Sequence, residues 1–260
     1  MDTSGPDIKL IRPVKSIFIA AETRCGSNYL SAIMATTSSL GIPLEYFSKH
    51  LIIENANTAT ERYAYACNNS ISPNGVISVK LFPEHWSMIE GEIDIEEKFP
   101  NRYWIWLRRK DILAQAISRE IALQTRAWVS NTEPQSDPVY SSKGIERWLN
   151  FIANSEARWR TYFARNAINP FMIWYEDMIL DPKKAIIDIA RFSRIEIDPA
   201  SINLDVHIKP QHTLLKKEWK EKFINEMMDI NRMDKIISNK RYKFSLKNLA
   251  LLWKGKLQEP

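Results

Sequence analysis

Short β-type runs alternate with helical patterns along this chain, and this alternation constrains the fold more than any other feature of the sequence. The first run, at 14–21 (VKSIFIAA), is followed by a polar turn and an apolar helical stretch, YLSAIMATTSSL. Further buried strands are predicted at 75–81 (GVISVKL), 103–107 (YWIWL) and 171–175 (FMIWY). Strands that alternate with helices are typical of an α/β fold, in which a mostly parallel sheet is flanked by helices on both faces.

Three later segments are predicted from their spacing and start signals. A helix follows the third strand with the pattern ILAQAISREIALQTRAW, and another begins after Asp181 as N-cap, with Pro182 at the first helical position. The segment 131–142 is rich in turn-forming and polar residues, so we predict a surface loop there. The stretch 143–165 is predicted to be a core-facing helix, because large apolar side chains recur at helical spacing: Trp148, Phe151, Ile152, Trp159 and Phe163. Ligand binding by this aromatic stripe is the alternative.

The composition indicates one substantial core, and the positive charge is concentrated at the C-terminus. The chain has 260 residues, of which 45% are hydrophobic, so disorder and a coiled coil are excluded. The whole chain has a net charge of +5, and the segment 238–260 alone carries six basic residues and one acidic residue. Residues 1–237 are therefore formally neutral. We predict a single domain over 1–237, followed by a basic amphipathic C-terminal tail over 238–260.

This distribution of charge bears on the partners. Because the domain itself is neutral, its anion binding must come from a few placed cations, which argues against a nucleic-acid partner. For the tail, three interpretations stay open: docking on the domain, a dimer interface, or peripheral contact with an acidic membrane surface. Docking on protein is preferred among them.

The ends of the chain and its cysteines exclude several classes of protein. The apolar run near the N-terminus is far shorter than the ~20 residues that a membrane span needs, and it lacks the layout of a signal peptide. We therefore predict a cytoplasmic protein. Cys25 and Cys67 are too few for a disulfide framework and lack zinc-ligand spacing. The four histidines are scattered, so no metal site is predicted.

The loop after the first strand has the composition of an anion-binding loop. Ligands of open parallel sheets bind beyond the carboxyl ends of the strands, where a helix N-terminus offers unpaired N–H groups. Arg24 supplies a positive charge, Gly26 allows close backbone approach, and Ser27 and Asn28 supply side-chain donors. The loop is not a Walker A motif, because it has one glycine and no Gly-Lys pair. A plain capped turn is the alternative.

A candidate proton acceptor and a candidate lysine lie after the helix that this loop opens. Glu45 stands in GIPLEYF, where aromatic neighbours could shield its carboxylate from water and a fixed backbone could position it. Lys80, at the end of the second strand, could contact a donor or an acceptor substrate. The alternatives are a surface glutamate beside a turn and a solvated lysine.

Three consecutive cations at the carboxyl end of the third strand suggest a second anion pocket. Arg108, Arg109 and Lys110 precede Asp111, which starts a helix. Ser118 lies seven residues beyond Asp111 on one helical face, so its hydroxyl could join Arg109 on a phosphate. A solvated cluster of charges is the alternative.

In the order in which they occur, these segments resemble the motifs of the PAPS-dependent sulfotransferases, and most of all those of the bacterial trehalose 2-sulfotransferase type. The segment 23–28 looks like the family's 5′-phosphosulfate loop, from which it departs at Cys25 and Asn28. GIPLEYF is similar to the family's glycine-glutamate-proline-x-glutamate-aromatic-aromatic motif, with Ile42 in place of the first glutamate. The segments 109–118 and 124–128 resemble the 3′-phosphate motif and a stretch typical of the bacterial group. The segments 175–178 and 211–223 resemble the adenine-side segment and the segment that covers the donor.

The resemblance implies a P-loop-like sulfotransferase domain that takes PAPS as sulfuryl donor, releases PAP and needs no metal. It implies that Glu45 is the general base and that Arg24 stabilises the leaving phosphate. The residues that it assigns to the donor are Arg24, Cys25, Gly26, Ser27, Asn28, Arg109, Ser118, Tyr175 and Gln211. It also implies a homodimer.

The acceptor is predicted to be a hydroxyl of a carbohydrate or another small molecule. Tyr46, Phe47 and Trp128 would suit stacking on a sugar, and Lys80 could join them. Two alternatives to a sulfotransferase stay open at this point: a degenerate P-loop kinase or NTPase, and a protein that binds PAPS or PAP without catalysis.

Overall fold

A four-stranded parallel sheet organises the fold. The computed structural model describes residues 12–51, 53, 56–128, 132–208 and 213–228. The sheet has the order β2-β1-β3-β4, and its strands are β1 (Lys15–Ala20), β2 (Val76–Leu81), β3 (Arg102–Arg108) and β4 (Phe171–Trp174). All pairings are parallel. The predicted α/β class is thereby confirmed, and the four predicted strands are found within one or two residues of their predicted bounds.

The helices alternate with the strands as the sequence pattern predicts. Asp181 accepts a hydrogen bond from the Lys184 N–H, which is the predicted N-cap. Five helices in the described residues had not been predicted: those over 59–70, 83–92, 95–98, 175–180 and 213–227. The helices are α1 (Ser27–Thr36), α2 (Ala59–Ser70), α3 (Pro83–Glu92), α4 (Ile95–Lys98), α5 (Ile112–Thr125), α6 (Ser142–Arg165), α7 (Tyr175–Leu180), α8 (Pro182–Phe192) and α9 (Thr213–Met227).

The chain divides into two compact units, 1–216 and 217–260. The sheet and α1–α8 belong to the first unit, whereas α9 begins in the first and ends in the second. The predicted tail, 238–260, lies outside the described residues, so its boundary stays a prediction. Among the helices of the described residues, none has the length and apolar character that crossing a membrane requires.

The sheet separates two hydrophobic clusters, because successive side chains of a strand point to opposite faces. On one face, Ile17 and Ile19 pack with side chains of α1 and α8. On the other face, Phe18 and Ala20 pack with aromatic side chains of α2, α3 and α6. Both faces are therefore covered, as a parallel sheet requires.

The aromatic stripe of α6 divides into two parts. Ile152, Trp159 and Phe163 are buried, as predicted for a core-facing helix. The prediction is wrong for the other two, because Phe151 is 36% exposed and Trp148 is half-buried. The N-terminal part of α6 faces α5, and there the Arg119 guanidinium lies 4.3 Å from the Trp148 ring centroid and 4.2 Å from that of Phe151.

The register of the strands brings the functional loops to one edge. Ala20 at the end of β1 pairs with Leu81 at the end of β2 and with Trp106 in β3. The loops that follow β1, β2 and β3 therefore start at the same edge of the sheet. β4 ends beside Arg108, and Tyr175, predicted as strand, begins α7 at this edge.

Gly41 is required where the chain passes β2. Its φ is +72°, and a Cβ placed on it would lie 2.9 Å from the Ser78 backbone nitrogen. We expect Gly41→Ala to lower the free energy of unfolding by roughly 1–3 kcal/mol. Gly91→Ala is the matched control, because in α3 its Cβ would meet nothing within 4 Å and the helix should gain up to about 1 kcal/mol. Chemical denaturation measures both, and equal losses would contradict this account.

Candidate active site

The loop between β1 and α1, residues 21–26, has an unusual backbone that leaves the start of α1 open. Arg24 and Gly26 both adopt left-handed conformations, with φ values of 65° and 89°. A Cβ on Gly26 would lie only 2.3 Å from Cδ2 of Tyr175, so the tyrosine ring packs directly on this glycine. The N-cap residue of α1 is Gly26, which has no side chain with which to cap the helix. The amides of its first turn can therefore serve an anion.

Four of the predicted donor residues lie together beside this loop, although they come from four elements. The Arg24 Nε donates to Ser118 Oγ at 3.0 Å, and the Arg109 Nη1 donates to the Arg24 carbonyl at 3.2 Å. The Arg109 guanidinium stacks 4.8 Å from the centroid of the Tyr175 ring. Arg24 also donates to the Trp128 carbonyl at 2.5 Å, which draws the end of α5 to the loop.

A third cation, which the sequence did not single out, joins these two arginines. Burial and the charge of Arg109 lower the pKa of Arg24. Burial, then Arg24 and Arg109, lower the pKa of Lys216 to about 8. Cations whose pKa values are lowered by burial and by neighbouring cations are stabilised by an anion placed beside them. In the sequence, nothing distinguishes Lys216 from the other lysines of an amphipathic helix.

Glu45 is held at the same edge by Lys80. The Lys80 Nζ lies 3.0 Å from Glu45 Oε1 and donates to Asn28 Oδ1 at 2.5 Å. The Lys80 side chain is 3% exposed and that of Glu45 is 33% exposed. The contact arises because Leu44 pairs with Val79, so that the Lys80 N–H donates to the Leu44 carbonyl at 2.9 Å. Lys80 thus joins the candidate base to the first turn of α1.

The structure corrects two predicted acceptor contacts. Tyr46 is 1% exposed and Phe47 is fully buried, so both rings lie in the core and present no face to a sugar. The segment that places Glu45 beside Lys80 directs the next two side chains beneath the sheet, where the Tyr46 hydroxyl donates to the Ile42 carbonyl. The expected aromatic shield around Glu45 is therefore replaced by a lysine contact. Trp128, at 40% exposed, keeps an accessible ring.

The three consecutive cations at the end of β3, Arg108, Arg109 and Lys110, have different partners. Arg108 forms a two-pronged ion pair with Glu156, at 3.0 and 2.6 Å, and stacks on Trp106 and Trp174. Lys110 pairs with Asp177. Of the three, Arg109 is the one whose side chain contacts the β1–α1 loop. Arg109 also lies 3.8 Å from Glu176 Oε1 of α7, a longer contact than the ion pairs of the other two. The predicted pocket therefore has one cation from this triplet.

His85 is a second residue that sequence reasoning missed. It is buried in the first turn of α3, where its Nδ1 accepts a hydrogen bond from the Phe82 N–H at 3.4 Å. Burial lowers its pKa to about 4, against the charge of Glu45, which acts in the opposite direction. A neutral imidazole thus lies near Glu45 and Lys80. Its position in the helix that follows a strand end was the available signal.

Two further residues of the predicted donor loop, Cys25 and Ser27, are buried. Cys25 is 1% exposed, and burial raises the pKa of its thiol to about 11, so the side chain belongs to the core. Ser27 is buried at the first position of α1. Gln211 lies outside the described residues. Within the described ranges, no three His, Cys, Asp or Glu side chains are grouped as metal ligands.

The comparisons with known proteins identify the family. Residues 77–226 match the model of the Stf0 sulphotransferase family, and the chain therefore belongs to this family. The trehalose 2-sulfotransferase of Mycobacterium tuberculosis strain Erdman is 31% identical, over 63% of this chain and 78% of that protein. The protein is a sulfotransferase enzyme. The family match begins after the β1–α1 loop and Glu45, so the roles of these two features depend on the geometry above.

Solved structures of other sulfotransferases align with most of the chain. The sulfotransferase domain of the Synechococcus PCC 7002 olefin synthase is 15% identical, with a TM-score of 0.49, and the alignment covers 96% of this chain and 97% of that one. The mouse sulfotransferase SULT7A1, crystallised with PAP, is 14% identical, with a TM-score of 0.43, over 98% of this chain and 91% of that one.

Proposed function

We propose that this sulfotransferase transfers the sulfuryl group of PAPS to a hydroxyl of a carbohydrate or another small molecule, with Glu45 as general base. The observation that carries the proposal is the contact of Lys80 with both Glu45, at 3.0 Å, and Asn28, at 2.5 Å. This contact supports the proposal because it links the Glu45 carboxylate to the first turn of α1. The cations Arg24 and Arg109 contact the β1–α1 loop and its surroundings through the Arg24 carbonyl and Ser118.

The residues at this edge fit a phosphorylated nucleotide. The left-handed Gly26 at the start of α1 and the cluster of Arg24, Arg109 and Lys216, in which the pKa values of Arg24 and Lys216 are lowered, favour an anion. The Tyr175 ring, which packs on Gly26 and on Arg109, offers an aromatic surface for an adenine. When bound, PAPS supplies an activated sulfuryl group and a phosphate leaving group.

Each residue then has a defined task. Arg24 and the loop amides hold the 5′-phosphosulfate and stabilise the charge that develops on the leaving phosphate. Arg109 and Ser118 bind the 3′-phosphate, and Tyr175 contacts the adenine. Glu45, oriented by Lys80, accepts the proton of the attacking hydroxyl. Sulfuryl transfer resembles phosphoryl transfer in its demand for in-line positioning and charge stabilisation.

Fewer residues can be assigned to the acceptor than to the donor. The exposed ring of Trp128, whose carbonyl contacts Arg24, suits the apolar face of a sugar. The M. tuberculosis relative is named for trehalose, which supports a carbohydrate acceptor. Membership of the sulfotransferase family excludes the kinase or NTPase alternative.

Two measurements test the proposal. Calorimetric titration with PAP should show binding, and no binding at millimolar PAP would contradict the assignment of the donor. Radiolabelled PAPS incubated with trehalose and a panel of other hydroxylated compounds should then label an acceptor. PAP binding with no transfer to any member of the panel would favour the non-catalytic alternative for this chain.

Donor affinity should depend on pH through Lys216. Its pKa is near 8 in the unliganded protein, and a bound anion raises this pKa by favouring the charged ammonium. PAP phosphates are already ionised above about pH 7, so PAP binding should weaken roughly fivefold as pH rises through 8. Lys216→Arg should bind PAP with little change between about pH 7 and pH 9.5. An equal pH dependence in this variant and the parent protein would exclude Lys216 as the source.

A further inference from the structure

A small cavity lies beneath the β1–α1 loop, between this loop, the end of β3, α5 and α6. Its volume is about 10 Å³, close to the ~10–15 Å³ that one water molecule needs in a cavity. Glu22, Gln115 and Ser155 contribute to its lining. They are 5%, 1% and 4% exposed.

Each of these three residues turns an unsatisfied polar atom to the interior. Glu22 Oε2, Gln115 Oε1 and Ser155 Oγ are buried and have no hydrogen-bond partner among the described residues. A buried polar atom that lacks a partner is costly, so such atoms in one cavity call for a shared ligand. Arg109 also lines the cavity, but its buried Nε differs from these atoms, because it lies 3.8 Å from Glu176 Oε1 in an ion pair.

The chemistry of these atoms selects water. The Gln115 Nε2 donates to the Thr23 carbonyl at 2.8 Å. This bond fixes the orientation of the amide, so the Gln115 Oε1 needs a separate donor. Glu22 Oε2 is likewise an acceptor, so the ligand must donate two hydrogen bonds. The Ser155 hydroxyl can donate or accept, so a ligand that also accepts would satisfy it in either way. A single water molecule donates twice and accepts up to twice, and it fits the volume.

The same side chains fix the backbone of the loop. Glu22 Oε1 accepts from the Thr23 N–H at 2.7 Å and from Arg119 Nη1 at 2.6 Å. Because Gln115 also donates to the Thr23 carbonyl, both the N–H and the C=O of Thr23 are hydrogen-bonded. Thr23 immediately precedes Arg24, whose φ is 65°. A water that ties Glu22 to Gln115 and Ser155 would therefore act on the conformation of Arg24.

We propose that this cavity binds one ordered water molecule, and that Glu22, Gln115 and Ser155 are positioning residues that hold the β1–α1 loop through it. The consequence for donor binding rests on the proposed function. The presence of the water does not depend on the proposed function, so each of these two claims can be disproved without the other.

A crystal structure of the full chain tests the water directly. At a resolution that shows other buried waters, density for one molecule should lie within hydrogen-bond distance of Glu22 Oε2, Gln115 Oε1 and Ser155 Oγ. It should persist in Ser155→Ala, which keeps the space, and be lost in Ser155→Val, which fills it. A cavity without density in the parent protein would overturn the inference, whatever PAP does.

PAP affinity tests the positioning role. Ser155→Val should weaken PAP binding about tenfold, whereas Ser155→Ala should weaken it by less than about twofold, because the water keeps its two acceptors. If Ser155 mattered only through its own hydroxyl, the two variants would lose equally, and this result would overturn the role of the water. Ser193→Val is the matched control at a fully buried serine that does not line the cavity. It should leave PAP affinity unchanged, and a loss equal to that of Ser155→Val would also overturn the proposal.

Discussion

Replacing Glu45 with glutamine should lower the rate of sulfuryl transfer by roughly 10²- to 10⁴-fold, the usual contribution of a positioned general base. Glutamine keeps the shape of the side chain and an oxygen for Lys80, which lies 3.0 Å from Glu45 Oε1 in the structure. PAP affinity should change by less than about threefold, because Glu45 pairs with Lys80 and is not among the residues assigned to the donor phosphates. Single-turnover kinetics measures the chemical step without a contribution from product release.

Glu90→Gln is the control for this experiment. Glu90 is an exposed carboxylate on α3, and its loss should leave both the transfer rate and PAP affinity unchanged. Thermal unfolding of both variants checks that the fold is kept. If Glu45→Gln retained more than about a tenth of the single-turnover rate, another group would have to accept the proton, and the buried, neutral His85 would be the first to test.

Replacing Arg109 with alanine should produce the reverse pattern. Loss of a hydrogen bond to a charged group costs about 1.5–3 kcal/mol, so PAP should bind roughly 10- to 100-fold more weakly. The transfer rate at saturating donor should fall much less, because the proposed task of Arg109 is to bind the 3′-phosphate and not to accept the proton or stabilise the leaving group. Isothermal titration with PAP and single-turnover rates at high PAPS separate the two effects.

The neighbouring Lys110 supplies a control of equal charge. Its side chain is 49% exposed and pairs with Asp177, so Lys110→Ala should change PAP affinity by less than about twofold. If the two variants lost affinity equally, the effect would reflect net charge near the site, and the assignment of Arg109 to a phosphate would be wrong. Because Arg109 also stacks on Tyr175, the melting temperature of its variant needs to be measured in parallel.

The general position of the site could be predicted from local pattern. β-type runs located the four strands, and the rule that ligands bind beyond the carboxyl ends of parallel strands indicated Arg24 and Arg109 as candidate anion-binding residues. Glu45 was found from its motif, since the strand pattern alone gave no reason to place it beside Lys80. The bridge between Leu44 and Val79, which creates that contact, is a tertiary pairing.

The errors share one physical cause. Arg108 and Lys110 were grouped with Arg109, but Glu156 and Asp177, which engage them, lie 48 and 67 residues further along the chain. Tyr46 and Phe47 were predicted to contact a sugar because they are aromatic. Their burial depends on helices that come later in the chain and pack against them. The water-sized cavity and Lys216 were likewise invisible, because no local spacing encodes which distant side chains come together.

The distances along the chain have a further consequence, which concerns folding. The contacts that assemble the site join residues 52, 85 and 94 positions apart: Lys80 with Asn28, Arg109 with Arg24, and Arg24 with Ser118. Contacts of this kind form only after long loops have closed, and parallel pairing delays them further. The capacity to hold the nucleotide should therefore arise late in folding, when β1, β2 and β3 are all in register. A nascent or partly unfolded chain would hold most of the residues of the site and almost none of its affinity.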